Sequence, residues 1–285
     1  MGIETSPAHF PAMSMLSTLS VAAIALLHGF APAAVGPDGG TVLTGTFPGG
    51  QRPGFVYLPP EFTTSRRYPV VYLLHGMRGS PSEYLYGTSL LDVADTGISS
   101  GSLRPFIAVM PAAGPTPAYN GEWAGRWARY LLDDVLPWVD AHLPAIDTRT
   151  ARIIGGLSAG GYGAADIGLR HPALFGTIES WSGYFHPLHD GPFRHASEGI
   201  LRANDPTLLA RAEVGTLRRD RTRFFLSTGP SHSRWFKSSQ TAGFRQELEH
   251  LGLETAGFTY PDVKGEWRAQ LARGLAWALA PGHGR

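Results

Sequence analysis

Arg152-Ile-Ile-Gly-Gly-Leu-Ser158-Ala-Gly-Gly-Tyr-Gly-Ala-Ala165 is an apolar run that stops at glycine, a serine framed by Gly156 and Gly160, and an alanine-rich helical pattern. Gly-x-Ser-x-Gly between a strand and a helix is the signature of a nucleophile elbow. The spacing has a steric cause. A serine on a strained strand-to-helix turn needs neighbours without side chains two residues away, so that strand and helix can approach closely. Such a turn lifts the hydroxyl clear of a sheet and leaves the helix N-terminus pointing at whatever the serine attacks. Ser158 is therefore the candidate nucleophile.

Composition bounds what can surround it. A chain of 285 residues buries one large core, and a single α/β domain of this size is ordinary. Its 36 glycines and 23 prolines call for many tight turns. A formal net charge of +1 gives no reason to expect a nucleic-acid partner. With no cysteine there is no thiol nucleophile, no Cys-ligated zinc and no disulfide framework.

Ahead of the domain, Met13 to Leu27 is an apolar run followed by Ala31-Pro-Ala-Ala34, which reads as a signal-peptide core with a small-residue cleavage site. Residues 1–12 hold no Lys or Arg, so the basic start of such a peptide is missing. The expectation is a signal peptide or membrane-proximal segment over 1–35, a secreted or envelope-associated protein, a linker at Gly36 to Gly40, and one domain over 36–285.

Working outward from the elbow, Pro69-Val-Val-Tyr-Leu-Leu74 is a continuous apolar run, the pattern of a strand buried on both faces of a parallel sheet, and Pro105-Phe-Ile-Ala-Val-Met110, Phe175 to Ser182 and Arg223 to Gly229 read as further core strands. Pro53 to Pro60 is a shorter strand closed by prolines, and Ala256 to Tyr260 a last one. Helical spacing appears over Trp127–His142 (with Pro137 set to kink or divide it), Ser239–Leu251 and Trp267–Leu279. Strand and helix alternate, which implies an α/β fold with a doubly wound, mostly parallel sheet and helices on both faces. Gly183 to Arg221 is irregular and is expected as a small cap segment over Ser158. His186-Pro-Leu-His189 lacks the helical geometry of a metal pair, so no metal or cofactor is expected. The arginines at 211, 218, 219, 221 and 223 read as a solvated face.

Pro69 to Leu74 ends in His75-Gly-Met-Arg-Gly79, a His-Gly at a strand end that supplies one oxyanion amide in Ser hydrolases. Together with Tyr68 to Gly76, Gly156-Leu-Ser-Ala-Gly160 and Ser180-Trp-Ser-Gly-Tyr184, it makes residues of about 50–280 resemble the esterase D group of α/β-hydrolases. That group includes feruloyl esterases, S-formylglutathione esterases and the secreted mycolyltransferases. The resemblance implies an α/β-hydrolase fold, an oxyanion hole from the amides of Met77 and Ala159, and an ester of a small molecule, glycan or lipid as substrate. His75 reads as a structural histidine bonded to its loop.

The chain departs from the family where the acid and histidine belong. The loop after Gly229 is Pro230-Ser-His-Ser-Arg-Trp235, without a carboxylate, and Tyr260-Pro-Asp-Val-Lys-Gly-Glu-Trp267 has no histidine. A serine hydroxyl needs a base within hydrogen-bond reach. Three readings follow. His232 serves as base, with Asp262 or Glu266 orienting it. A cap histidine (His186, His189 or His195) reaches in. Or the site is silent, and the protein is a binding or scaffold component of the cell envelope. The first is the main expectation: Ser158, His232 and Asp262, in an esterase or acyltransferase.

Overall fold

The computed structural model describes residues 29–114, 123–189, 191–229, 238–260 and 266–282. Nine strands form one sheet in the order β1-β2-β3-β5-β4-β6-β7-β8-β9. Six of them run parallel: β4 (Val70–Leu74), β5 (Ile107–Met110), β6 (Arg152–Leu157), β7 (Thr177–Trp181), β8 (Arg223–Thr228) and β9 (Glu254–Thr259). β1 (Ala31–Val35), β2 (Thr41–Gly45) and β3 (Gly54–Leu58) extend the sheet antiparallel, with β3 paired to β5.

Alternation along each central strand divides the core into two layers, because successive side chains leave opposite faces. Val70, Tyr72, Leu74, Ile154 and Ile178 pack toward one layer, with Leu131, Val139, Ala164, Ile167 and Phe244. Val71, Leu73, Ile153, Leu157 and Trp181 pack toward the other, with Leu90, Leu271 and Leu275. The first layer carries a helical run over residues 126–142, the elbow helix Ala159–Arg170 and the helix Ser238–His250; the second carries Leu90–Ser99 and the C-terminal helix Glu266–Leu279. This is the doubly wound α/β sheet expected from the strand and helix patterns.

Two local expectations need revision. Gly36 to Gly40 is the turn of a hairpin, closed by Gly36 N–H on Gly40 O at 2.7 Å, and Ala31 to Val35 is the edge strand before it. Asp95, on the Leu90–Ser99 helix, holds that turn: its carboxylate accepts Gly40 N–H at 3.0 Å, Asp38 N–H at 3.1 Å and Tyr57 O–H at 2.8 Å. A stretch of small residues has no local pattern announcing such distant partners. The second concerns Pro137. The helical run stays continuous, but the turn Tyr130–Val135 widens into π geometry before Leu136–His142, with Leu136 N–H reaching back to Leu131 O. A proline without an N–H is accommodated at the start of the final segment.

Candidate active site

β6 delivers Ser158 to the carboxyl edge of the sheet, beside the end of β4, since Leu74 and Gly156 are register partners. Ser158 takes φ 55° and ψ −115°, then enters the elbow helix, whose first closing bond is Tyr162 N–H on Ser158 O at 3.0 Å. Only glycine adopts that region freely, so the serine backbone is strained. The two motif glycines are sterically required. A Cβ on Gly160 would fall 1.8 Å from Leu74 O, and one on Gly156 2.4 Å from the carbonyl carbon of Gly160. Ser158 remains half-buried, and the N–H groups of Ala159, Gly160 and Gly161 open the helix without intrahelical acceptors.

The His-Gly loop leaves β4 next to this turn. A Cβ on Gly76 would sit 3.6 Å from Ser158 Cβ, so the loop and the nucleophile are in near contact. His75 is fully buried. Its Nδ1–H donates to Gly76 O at 2.9 Å and its Nε2 accepts Ala113 N–H at 3.1 Å, while Trp123 Nε1–H donates to His75 O at 3.0 Å. Burial lowers its pKa to about 4, so the ring stays neutral with both nitrogens engaged. It braces the loop and has no free nitrogen for serine. Met77 packs against a small cluster that contains Ala159, Tyr162, Tyr184, Phe193 and Leu201. The structure thus brings Ser158, Met77 and Ala159 into one neighbourhood.

Part of the irregular segment after β7 caps this neighbourhood: Leu188, Phe193, Ala196 and Leu201 belong to the cluster around Met77 and Ala159. The rest lies along the elbow helix. Tyr162 O–H donates to Asn204 O at 2.7 Å, and Asp205 is close enough to help raise the pKa of Asp166, though burial is the larger cause. His186 belongs to that flank: its Nδ1 is 2.6 Å from Asp205 Oδ2, and Asp205 Oδ1 accepts Leu208 N–H at 3.0 Å. The pair borders a cavity of about 550 Å³ whose lining includes none of Ser158, Met77 and Ala159. His189 and His195 are exposed. Among the described residues, no group of three His, Asp or Glu could hold a metal. The expected arginine face pairs locally: Arg211 with Glu247, Arg219 with Asp220, Arg223 with Glu254.

His232 and Asp262 lie outside the described residues, as does His283, and Glu266 opens the C-terminal helix. Two further polar groups hold elements together near the elbow. Gln270, fully buried, accepts Ser227 Oγ–H at 2.9 Å and donates to Ser182 Oγ at 3.1 Å, tying the C-terminal helix to the ends of β7 and β8. Glu83 accepts Gly76 N–H at 3.2 Å. A glutamine at helical spacing and a glutamate in a polar loop carry no signal of such partners.

A family model described as "Putative esterase" matches residues 46–278. The chain belongs to this esterase family. Esterase Rv1288 of Mycobacterium tuberculosis is 30% identical over 141 residues, which are 47% of this chain and 30% of that protein. An endo-1,4-beta-xylanase/feruloyl esterase of Xylanibacter ruminicola is 30% identical over 131 residues, 42% of this chain and 18% of that protein. The chain therefore aligns with less than a third of the length of these curated relatives. Among solved structures, a ferulic acid esterase superposes with a TM-score of 0.66 at 22% identity, covering 80% of this chain and 91% of that one. FphF, a fluorophosphonate-binding serine hydrolase of Staphylococcus aureus, superposes at 0.65 with 20% identity over 85% and 99%. These likenesses show the α/β-hydrolase fold.

Proposed function

We propose that this esterase-family chain hydrolyses carboxylic esters through an acyl-enzyme on Ser158. One observation carries the reading: Ser158 is held in a strained turn, half-buried, between the opening amides of a helix and a braced His-Gly loop. Ser158 Oγ attacks the ester carbonyl as a base removes its proton, and the carbonyl electrons move onto oxygen. The N–H groups of Met77 and Ala159 receive that charge, where fixed donors are worth far more than in water. The protonated base then gives its proton to the departing alkoxide, and water repeats the sequence on the acyl-enzyme. Acceptance of the acyl group by another hydroxyl would make the same intermediate an acyltransferase.

His232 is the proposed base and Asp262 the carboxylate that orients it. Support comes partly by subtraction, since His75 has both nitrogens bonded and the His186–Asp205 pair borders a cavity whose lining includes none of Ser158, Met77 and Ala159. It comes also from position. Both residues follow parallel strands, β8 and β9, whose carboxyl ends share the sheet edge with Ser158. The names of relatives span feruloyl and acetyl esters, so those acyl groups are the first substrates to try. Export is proposed from the apolar run Met13 to Leu27.

A fluorophosphonate probe tests the serine directly. Labelling that Ser158→Ala abolishes supports the enzyme; a folded wild type that stays unlabelled sinks it and favours a binding or scaffold role. For the base, His232→Ala should lower turnover of p-nitrophenyl acetate at least about a hundredfold. Unchanged turnover would remove His232 from the mechanism.

A further inference from the structure

Resting on that hydrolase reading, we propose that Glu83 is a positioning residue that aims the Met77 N–H at the ester oxygen by clamping the turn Gly76–Gly79. The Gly76–Met77 peptide is a rigid plane whose C=O and N–H point in opposite directions. Its oxygen accepts two bonds, from His75 Nδ1–H at 2.9 Å and Gly79 N–H at 3.1 Å. Those bonds draw the C=O toward His75 and Gly79, and so turn the Met77 N–H the other way. The hinge to the preceding peptide is Gly76, the residue type with the softest backbone. Glu83 stiffens that hinge, because its Oε2 accepts Gly76 N–H at 3.2 Å.

The carboxylate is fitted closely into the turn. Ser80 N–H also bonds to it, and Glu83 N–H returns a bond to Ser80 O at 3.0 Å. A Cβ on Gly79 would fall 1.7 Å from Glu83 Oε1, so the carboxylate occupies the space that a side chain there would need. On Gly76, the position a Cβ would take is 3.6 Å from Ser158 Cβ and 3.7 Å from Glu83 Oε2. Carboxylate and nucleophile therefore flank one face of the same glycine. The next residue anchors the clamp to the sheet: Tyr84, fully buried, donates its O–H to Leu74 O at 2.6 Å, on the strand that leads into the loop. Glu83 thus links β4 to the peptide preceding the oxyanion amide without touching substrate itself.

What the reaction requires of Glu83 is an acceptor, and Gln retains one. With p-nitrophenyl acetate, Glu83→Ala should lower kcat about ten- to hundredfold while KM stays within about twofold, as expected for a misaimed transition-state donor. The rate of fluorophosphonate labelling should fall in parallel, and Glu83→Gln should recover most of both. Gly79→Ala supplies the second variant, since its methyl displaces the carboxylate while leaving Glu83 in the chain. It should lower kcat in the parent and add nothing on top of Glu83→Ala, the coupling of a shared mechanism. A Glu83→Ala protein within about twofold of the parent kcat, losses that multiply in the double variant, or equal losses in the Ala and Gln variants would each overturn the clamp. A parent that neither labels nor turns over sinks the hydrolase reading and the clamp with it; an active parent with an undiminished Ala variant sinks the clamp alone.

Discussion

Ser158 occupies a backbone conformation that a glycine would hold at no cost, and the structure spends stability to keep a hydroxyl there. Ser158→Gly should therefore unfold at higher urea than the parent, by about 1 kcal/mol or more, while losing fluorophosphonate labelling. Ser158→Ala loses labelling too but keeps the strain. Glu179 makes a different residue-level case. It is fully buried between β7 and the C-terminal helix, where its Oε2 accepts Trp181 Nε1–H at 3.1 Å, and burial raises its pKa to about 8. Among the described residues its Oε1 has no hydrogen-bond partner. Between about pH 4.5 and 8 the folded carboxyl keeps a proton that the unfolded one releases, so stability from this group falls as pH rises through that window. Glu179→Gln should match the parent in urea unfolding at pH 4.5 and exceed it by more than about 1 kcal/mol at pH 8.5. Equal stability of the two at both pH values would show that Glu179 does not titrate this way.

At the scale of elements, the N-terminal hairpin depends on a helix some fifty residues away. Asp95→Ala strips the acceptor from Gly40 N–H, Asp38 N–H and Tyr57 O–H, in a place where Asp95 itself is fully buried. A loss of about 1–3 kcal/mol in chemical denaturation follows from leaving buried donors unpaired. Hydrogen exchange should quicken first in β1 and β2; loss spread evenly over the sheet would argue against a local clasp. The same elements show what the chain's pattern reveals. β4 and β5 read clearly because a strand buried on both faces is apolar throughout. β1 is mostly exposed and β2 carries only Val42 and Leu43 between threonines, so neither stands out. The Leu90–Ser99 helix was equally silent. It starts from Ser89 at φ 53°, with no side-chain cap to mark it.

At the scale of the whole molecule, one sheet serves two cores, and damage to either is felt by both. Ile154 packs into one layer and Leu275 into the other. Ile154→Ala and Leu275→Ala should each cost about 2–5 kcal/mol and shift one common calorimetric transition. Two resolved transitions would show that the layers unfold separately. The sequence by itself determined the parallel strands, the elbow, the His-Gly loop and their common sheet edge. Those follow from local steric and periodic rules: a serine between glycines, apolar runs between turns. Only the tertiary structure decided that His186 turns to Asp205 on the helix flank, and that Glu83 and Gln270 hold the elements around Ser158. Each of those roles is a hydrogen bond across space, and a polar side chain does not announce its partner until the chain has folded around both.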